Sequence, residues 1–307
     1  MLLRLTFSLS LFLGSMGAGW WLHRRSLLTE LSAAQLVRWV VTVSSPIVLC
    51  LSLWKTNLHQ VEPWLLPLVG LVISASTLLP SIVAARRMNL SRQEIGSFLA
   101  CAFFSNVGYL GAFTAFAIFG EAAYGLCLLY MVFFSPSFYT LGFWIASHYG
   151  RGSLPSGFAV NEKLRLYPFI GMLLGVVLSL SGVRRPLWLE SFNHLLIPVD
   201  TSLYLIAVGS QLRFQSPLPW WRTCLAMSAI KFLYTPLVAW MLVTLLRVSG
   251  LPRFVVLLEA STPVAVSPLV LPLLFGVDRK LANALWLFTT LVAIPWLIVV
   301  MPLLQRL

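Results

Sequence analysis

Polar positions along this chain come in short clusters, and between them run ten stretches that are almost wholly apolar. These stretches are roughly Leu3–Leu22, Leu36–Trp54, Trp64–Ala85, Gly96–Phe119, Ala122–Ala146, Leu166–Ser181, Phe192–Gln211, Trp221–Leu246, Phe254–Phe275 and Leu281–Leu304. A helix needs about 20 residues to cross a bilayer, so the pattern predicts an all-α integral membrane protein with ten transmembrane helices. The first stretch follows Arg4 as a signal peptide would, but it runs on through Trp20-Trp21 into His23-Arg24-Arg25. Positive charge after the apolar core fits an uncleaved span better. Alternate loops divide the basic residues twelve to seven, with Arg24, Arg25, Arg86, Arg87, Arg279 and Lys280 in the richer set. Cytoplasmic loops collect Lys and Arg, so both termini are expected outside.

Composition narrows the class further. Of 307 residues, 59% are apolar and 10% charged, and the mean hydropathy is +0.89. Soluble domains carry about 25% charged residues, so soluble, disordered and disulfide-rich classes drop out. The formal net charge of +12 then reads as a topology label, with no nucleic-acid partner implied. Cys50, Cys101, Cys127 and Cys224 lie inside apolar runs without metal-ligand spacing, as small core hydrophobes would. No metal or cofactor is expected. The four histidines are scattered and no DDxxD or HxxxxD pattern occurs, which speaks against an integral-membrane enzyme.

The connection from Ser147 to Arg165, with GRGSLPSG at its centre, divides the chain almost in half. Residues 1–150 and 166–307 then hold five spans each, joined by a cytoplasmic linker at 151–165. With an odd number of spans per half, the two halves have opposite topology. Echoes at offsets of roughly 155–161 pair Gly14 with Gly175, Pro80 with Pro236, and the Asn106 region with Pro263. Inverted repeats of this kind are common in secondary transporters, whose sites lie where matching helices are broken.

Two spans carry such breaks at matching positions. The fourth reads FFSNVGYLGAF, with Ser105, Asn106, Gly108 and Gly111 in mid-stretch. The ninth reads LLEASTPVAVSPLVLP, with Ser261, Thr262, Pro263, Ser267 and Pro268. Each proline removes a backbone donor and clashes with the preceding turn. Unwinding there exposes amides and carbonyls that need a partner within the membrane, and a substrate supplies one.

Charges deep in a span are the second pointer, because each costs at least about 2.5–3.5 kcal/mol to insert. Asp200, Lys231 and Glu259 qualify, and Asp200 with Lys231 can be drawn as a pair on neighbouring helices. Arg38 and Glu121 sit at span ends, where an interfacial place is expected. Pro46 after Ser44-Ser45, and Pro136 between Ser135 and Ser137, predict kinks in the second and fifth spans. Gly171 and Gly175 form GxxxG, a close-packing pattern. Trp20, Trp21, Trp54, Trp64, Trp220 and Trp221 read as interfacial belts.

Several stretches resemble the auxin efflux carrier family, the PIN-like and bacterial permeases of the bile-acid/arsenite/riboflavin transporter superfamily. They are FSNVGYLG with AIFGEAAYGLCLLY, LRLYPFIGMLLGVVL, IPVDTSLYLIAVGSQL, and VVLLEASTPVAVSPLVLPLLFG. Together they follow the family's order over nearly the whole chain. The resemblance implies two inverted five-helix repeats, a scaffold and a transport domain, and broken helices four and nine crossing at the substrate site. It also implies transport of organic anions, auxin in plants and dicarboxylates in bacteria. The chain departs from the family at Phe113, where a proline is usual, and at Ser267, where an asparagine is usual.

The expectation is therefore a secondary carrier in a bacterial-type inner membrane, moving a small organic anion by alternating access. Asn106, Gly108, Ser261, Thr262, Pro263, Ser267 and Lys231 are the candidate substrate contacts, with Lys231 as a fixed cation. Glu259 and Asp200 are the candidate coupling groups. Proton or sodium as coupling ion, a sodium-coupled symporter as the alternative, and a homodimer all stay open at this point.

Overall fold

The computed structural model describes residues 2–151, 162–212 and 216–304. Most of the expected linker, and the side chains of Lys163, Arg165, Arg213 and Arg306, lie outside the described residues. Among those described, the chain is helical and no named strand occurs. In chain order the helices are α1 (Leu2–Arg24), α2 (Glu30–Trp39), α3 (Ser45–Lys55), α4 (Glu62–Ser76), α5 (Leu78–Arg87) and α6 (Arg92–Phe103). Next come α7 (Ala112–Phe119), α8 (Glu121–Tyr130), α9 (Phe134–Ser137), α10 (Phe143–Tyr149), α11 (Glu162–Leu180) and α12 (Leu187–Ser210). The last five are α13 (Trp221–Ala229), α14 (Thr235–Leu245), α15 (Gly250–Ala260), α16 (Leu271–Phe275) and α17 (Arg279–Leu304).

Prolines explain why some spans carry two labels. Pro46 and Pro236 are the second residues of α3 and α14, and each follows a π-helical turn, Val40–Ser44 and Ile230–Tyr234. Without the proline N–H the ladder loosens by one residue, so Ser45 N–H reaches the Val40 carbonyl and Thr235 N–H that of Ile230. A third π turn, Phe138–Gly142, follows Pro136. The kinks expected at Pro46 and Pro136 take this form.

Seven helical stretches are long and apolar enough to cross a membrane, against the ten apolar segments of the sequence. Two of the other three have a physical reason for falling short. The fourth and ninth segments are each interrupted near the middle, leaving Val107–Phe119 as a shorter apolar helix of the fourth. The sixth is described as apolar only over Leu166–Leu180. Seven such helices make this a multi-pass integral membrane protein. Large apolar side chains left exposed, such as Phe169, Leu173 and Val177 on α11, are what a bilayer solvates.

The chain folds into two compact units, each drawing on both sequence halves. The first comprises 1–64, 108–129 and 159–212. In it α1 lies along α12 and α11 along α3. Glycines let these backbones touch. A Cβ on Gly19 would stand 2.0 Å from the Ile206 carbonyl oxygen, and one on Gly209 2.2 Å from that of Met16. The same holds for Gly171 against Pro46 (2.2 Å) and Gly175 against Cys50 (2.5 Å), so the GxxxG pattern finds its partner in α3. Gly14, the expected counterpart of Gly175, meets nothing within 4 Å; Gly19 holds the packed position.

Glu121 corrects an expectation. It is only 4% exposed, and its carboxylate accepts a fork of bonds from Arg185 and a further one from Asn193. Proximity to a span end did not make it interfacial, because Arg185 folds inward to meet it.

The second unit comprises 65–107, 130–158 and 213–307. Its core gathers Phe103, Phe104, Phe138, Leu271 and Phe275 around the two interrupted helices. Helix α6 starts on a capping box, with Ser91 and Glu94 each bonding the other's backbone N–H. The Trp220 indole donates to Glu94 at 3.0 Å, which ties a predicted interfacial tryptophan to that helix start. Partial burial raises the Glu94 carboxyl, but the bonds from Ser91 and Trp220 outweigh it and leave the group below its ordinary value. All four cysteines are free thiols, three of them buried.

Candidate substrate site at the crossing helix breaks

Helix α6 ends at Phe103 with Phe104 extended beyond it, and α15 ends at Ala260 with a turn at Ser261–Thr262 before Pro263. There the two breaks meet. Ser105 and Val264 form an isolated antiparallel bridge, with Asn106 N–H donating to the Pro263 carbonyl at 2.8 Å and Ala265 N–H to that of Phe104 at 3.0 Å. Two interruptions that would each leave backbone groups bare in a membrane thus satisfy one another. Val264 N–H finds the Thr289 hydroxyl of α17 at 3.2 Å. Both breaks and α17 belong to the second unit.

Side chains at the crossing differ in what they have left to offer. Ser261 donates to the Leu257 carbonyl at 2.8 Å and Thr262 to that of Glu259 at 2.7 Å, so both hydroxyl protons are engaged on the end of α15. Asn106 is 3% exposed, and its Nδ2 has no hydrogen-bond partner among the described residues. The same is true of the buried Ser267 hydroxyl. An orphaned buried donor costs about 1–3 kcal/mol, so each of these atoms retains unused hydrogen-bonding capacity. Glu259 is fully buried in the last turn of α15. Gly108 falls in the π turn Val107–Gly111 and belongs to the first unit.

Lys231 is 0% exposed, and its ammonium donates to the Ala102 carbonyl at 2.6 Å and the Ser105 hydroxyl at 2.7 Å. Asp200 lies in the first unit, where Ser44 (2.5 Å) and Ser45 (3.0 Å) donate to its carboxylate. Each charge therefore has its own partners within its own unit. The hydroxyls expected to relieve the Pro46 kink serve Asp200, with Ser44 also 3.4 Å from the Val40 carbonyl.

Beside the break a narrow cavity of about 20 Å³ is lined by Phe103, Phe104, Ser105, Tyr130 and Phe134, among others. A cavity of that volume holds one water and no organic molecule. Sequence reasoning passed over Thr235 and Thr289, whose hydroxyls bond backbone of the ninth segment, Ala260 and Val264 respectively. Thr235 beside Pro236 was the available signal for the first; nothing local marks Thr289.

Comparison with known proteins agrees with this architecture. A family model described as "Membrane transport protein" matches residues 9–151 and 156–301. An uncharacterized transporter of Methanothermobacter thermautotrophicus is 25% identical over 278 residues, 90% of each chain. Another, from Methanocaldococcus jannaschii, is 28% identical over 212 residues, 66% of each chain. With nearly the whole chain matched, this protein belongs to the membrane transport protein family, the PIN-like transporters that its sequence resembles.

Proposed function

We propose that the protein is a secondary-active carrier for a small organic anion, working by alternating access at the crossing of the fourth and ninth segments. The observation that carries the reading is the bridge between Ser105 and Val264 beside the orphaned Nδ2 of Asn106. A carboxylate there accepts from Asn106 and Ser267, while Lys231 lends a positive potential from below. Gly108 and Pro263 shape the backbone around it. Ser261 and Thr262 join once the site opens and their hydroxyls exchange partners. Glu259 is the coupling group of this scheme, and Asp200 a second one in the other unit.

The reading includes ten spans in two inverted five-helix repeats, 1–150 and 166–307, in a bacterial-type inner membrane with both termini outside. A constant spacing supports the repeats. Gly19 and Gly175 are 156 residues apart, and so are the residues whose carbonyls they touch, Cys50 and Ile206. Pro80 with Pro236, Ser105 with Ser261, and Ser44 with its bonded partner Asp200 keep the same interval. A residue bonded to its own counterpart is what a two-fold axis through a helix crossing produces.

The test is a panel of radiolabelled mono- and dicarboxylates in proteoliposomes, with and without imposed proton or sodium gradients. Movement of at least one carboxylate is expected; if none moves under any gradient, the organic-anion reading fails.

A further inference from the structure

We propose that Lys231 is a tethered cation: its ammonium permanently fills an oxygen-lined site, at the end of a half-helix, that would otherwise take a free monovalent cation such as sodium. The carrier then has no sodium to bind at this place, whatever anion it moves. This goes beyond the choice of substrate and stands apart from it.

The acceptors define the site. Ala102 lies in the last turn of α6, where carbonyls lack helical partners and the helix dipole is negative. The Ser105 hydroxyl lies just past that end, on the extended stretch of the break. Both acceptors are neutral oxygens at 2.6 and 2.7 Å, and no ion pair involves Lys231 among the described residues. Unwound carbonyls, hydroxyls and half-helix C-terminal ends are the donor set with which broken-helix transporters hold hard monovalent cations. Here a side chain brings the charge instead.

The backbone of Lys231 is fixed as firmly as its head. It lies in the π turn Ile230–Tyr234, and the Thr235 hydroxyl shares its one proton between the Lys231 carbonyl (2.6 Å) and the Ala260 carbonyl at the end of α15 (2.8 Å). One helical segment therefore holds the ends of both broken helices, one through a full charge and the other through a hydroxyl. A lysine near a membrane face would snorkel to water. With no exposed surface and both stem and head fixed, Lys231 instead occupies a built cation site.

The test uses the purified full-length protein in nanodiscs and reads thermal stability, which needs no substrate. Wild type, Lys231→Ala and Lys231→Met are compared in choline chloride, sodium chloride and methylammonium chloride at equal ionic strength. Wild type is expected to show no sodium-specific shift in Tm. Lys231→Ala is expected to have a lower Tm in choline, recovered for the most part by methylammonium or sodium entering the emptied site. Lys231→Met, which refills the stem volume, is expected to stay low in all three salts. A variant that can be purified only with methylammonium or sodium present supports the proposal equally. A sodium-selective rise in wild type overturns it, since the site is then open to a free ion. So does a Lys231→Ala protein as stable as wild type in choline, or one that neither cation rescues or allows to be purified.

Discussion

Asn106→Leu separates a residue kept for the ligand from one kept for the fold, because the first role predicts lost transport at nearly unchanged stability and the second lost stability at unchanged transport. The buried Nδ2 has no partner among the described residues, which costs about 1–3 kcal/mol. Leucine keeps the branching at Cγ and has no donor, but its two methyls take more room than the amide. Overpacking a buried site by extra methylenes costs about 1–3 kcal/mol. The bond from Asn106 N–H to Pro263 is main-chain and survives the substitution. The two terms offset one another, so stability is expected to stay within about 2 kcal/mol of wild type and Tm within a few degrees. Transport is expected to fall. A hydrogen bond to a charged group contributes about 1.5–3 kcal/mol, or roughly 10- to 150-fold in affinity at about 1.4 kcal/mol per decade. Membrane proteins often unfold irreversibly, so melting in nanodiscs is compared at one scan rate. Uptake of the carboxylate found in the panel is measured in proteoliposomes of matched protein content. A clear loss of stability with transport intact would refute the reasoning and make Asn106 a structural residue.

Three further outcomes follow from contacts away from the crossing. Glu121→Gln removes the carboxylate from the buried Arg185 fork and is expected to cost about 3–5 kcal/mol, read as a lower Tm; Glu121→Met with Arg185→Met is expected to recover most of it, and additivity of the two single losses would contradict this. Gly209→Ala drives a Cβ to 2.2 Å from the Met16 carbonyl oxygen and should lose about 1–2 kcal/mol, whereas Gly14→Ala meets nothing and should gain about 0.5–1 kcal/mol, so their Tm shifts have opposite signs. Glu94 is held below the ordinary carboxylate value of 4.5, so its stabilisation is fully present above that pH and is lost as pH falls through the lower folded value. Glu94→Gln is therefore expected to lower Tm at neutral pH and to flatten the acid limb of a Tm-against-pH curve; an unchanged acid limb counts against the Trp220 and Ser91 bonds as its source.

What could be read from the sequence is what a few neighbouring residues decide. Pro263 and Pro268 beside Ser261-Thr262 cannot continue a helix, and the break falls there. Ser105-Asn106 marks the other break without any proline, and there the bridge to Val264 pairs the freed backbone. The π turns at Pro46 and Pro236 follow from one missing N–H each. Partner choice is the part that stayed hidden. Lys231 bonds a residue 126 positions away, and Arg185 meets Glu121 across 64. Hydropathy placed Asp200 and Lys231 in adjacent apolar segments, which made a pair plausible, yet each is satisfied by hydroxyls or a carbonyl that hydropathy cannot rank. Gly14 and Gly19 look alike as letters; only the approach of Ile206 distinguishes them.

The proposed repeats make the location of the deep charges informative. At the interval of 156, Asp200 aligns with Ser44, Lys231 with Ala75 and Glu259 with Phe103, so these three charges of the second half each align with a neutral residue in the first. Two chemically equal inverted repeats would exchange roles between inward- and outward-facing states at no difference in free energy, because one state is the mirror in topology of the other. Glu121, the buried carboxylate of the first half, likewise aligns with the neutral Val277, and charges without a charged counterpart break that equivalence. The end of α6 is held by an ammonium, while the matching end of α15 is held by the Thr235 hydroxyl. A charge-assisted bond is roughly twice as strong as a neutral one, so the two half-helix ends resist rearrangement unequally. Under the proposed repeats, shape can be symmetric while the free energies of the two proposed states are not, and Lys231 is one residue that contributes to the difference.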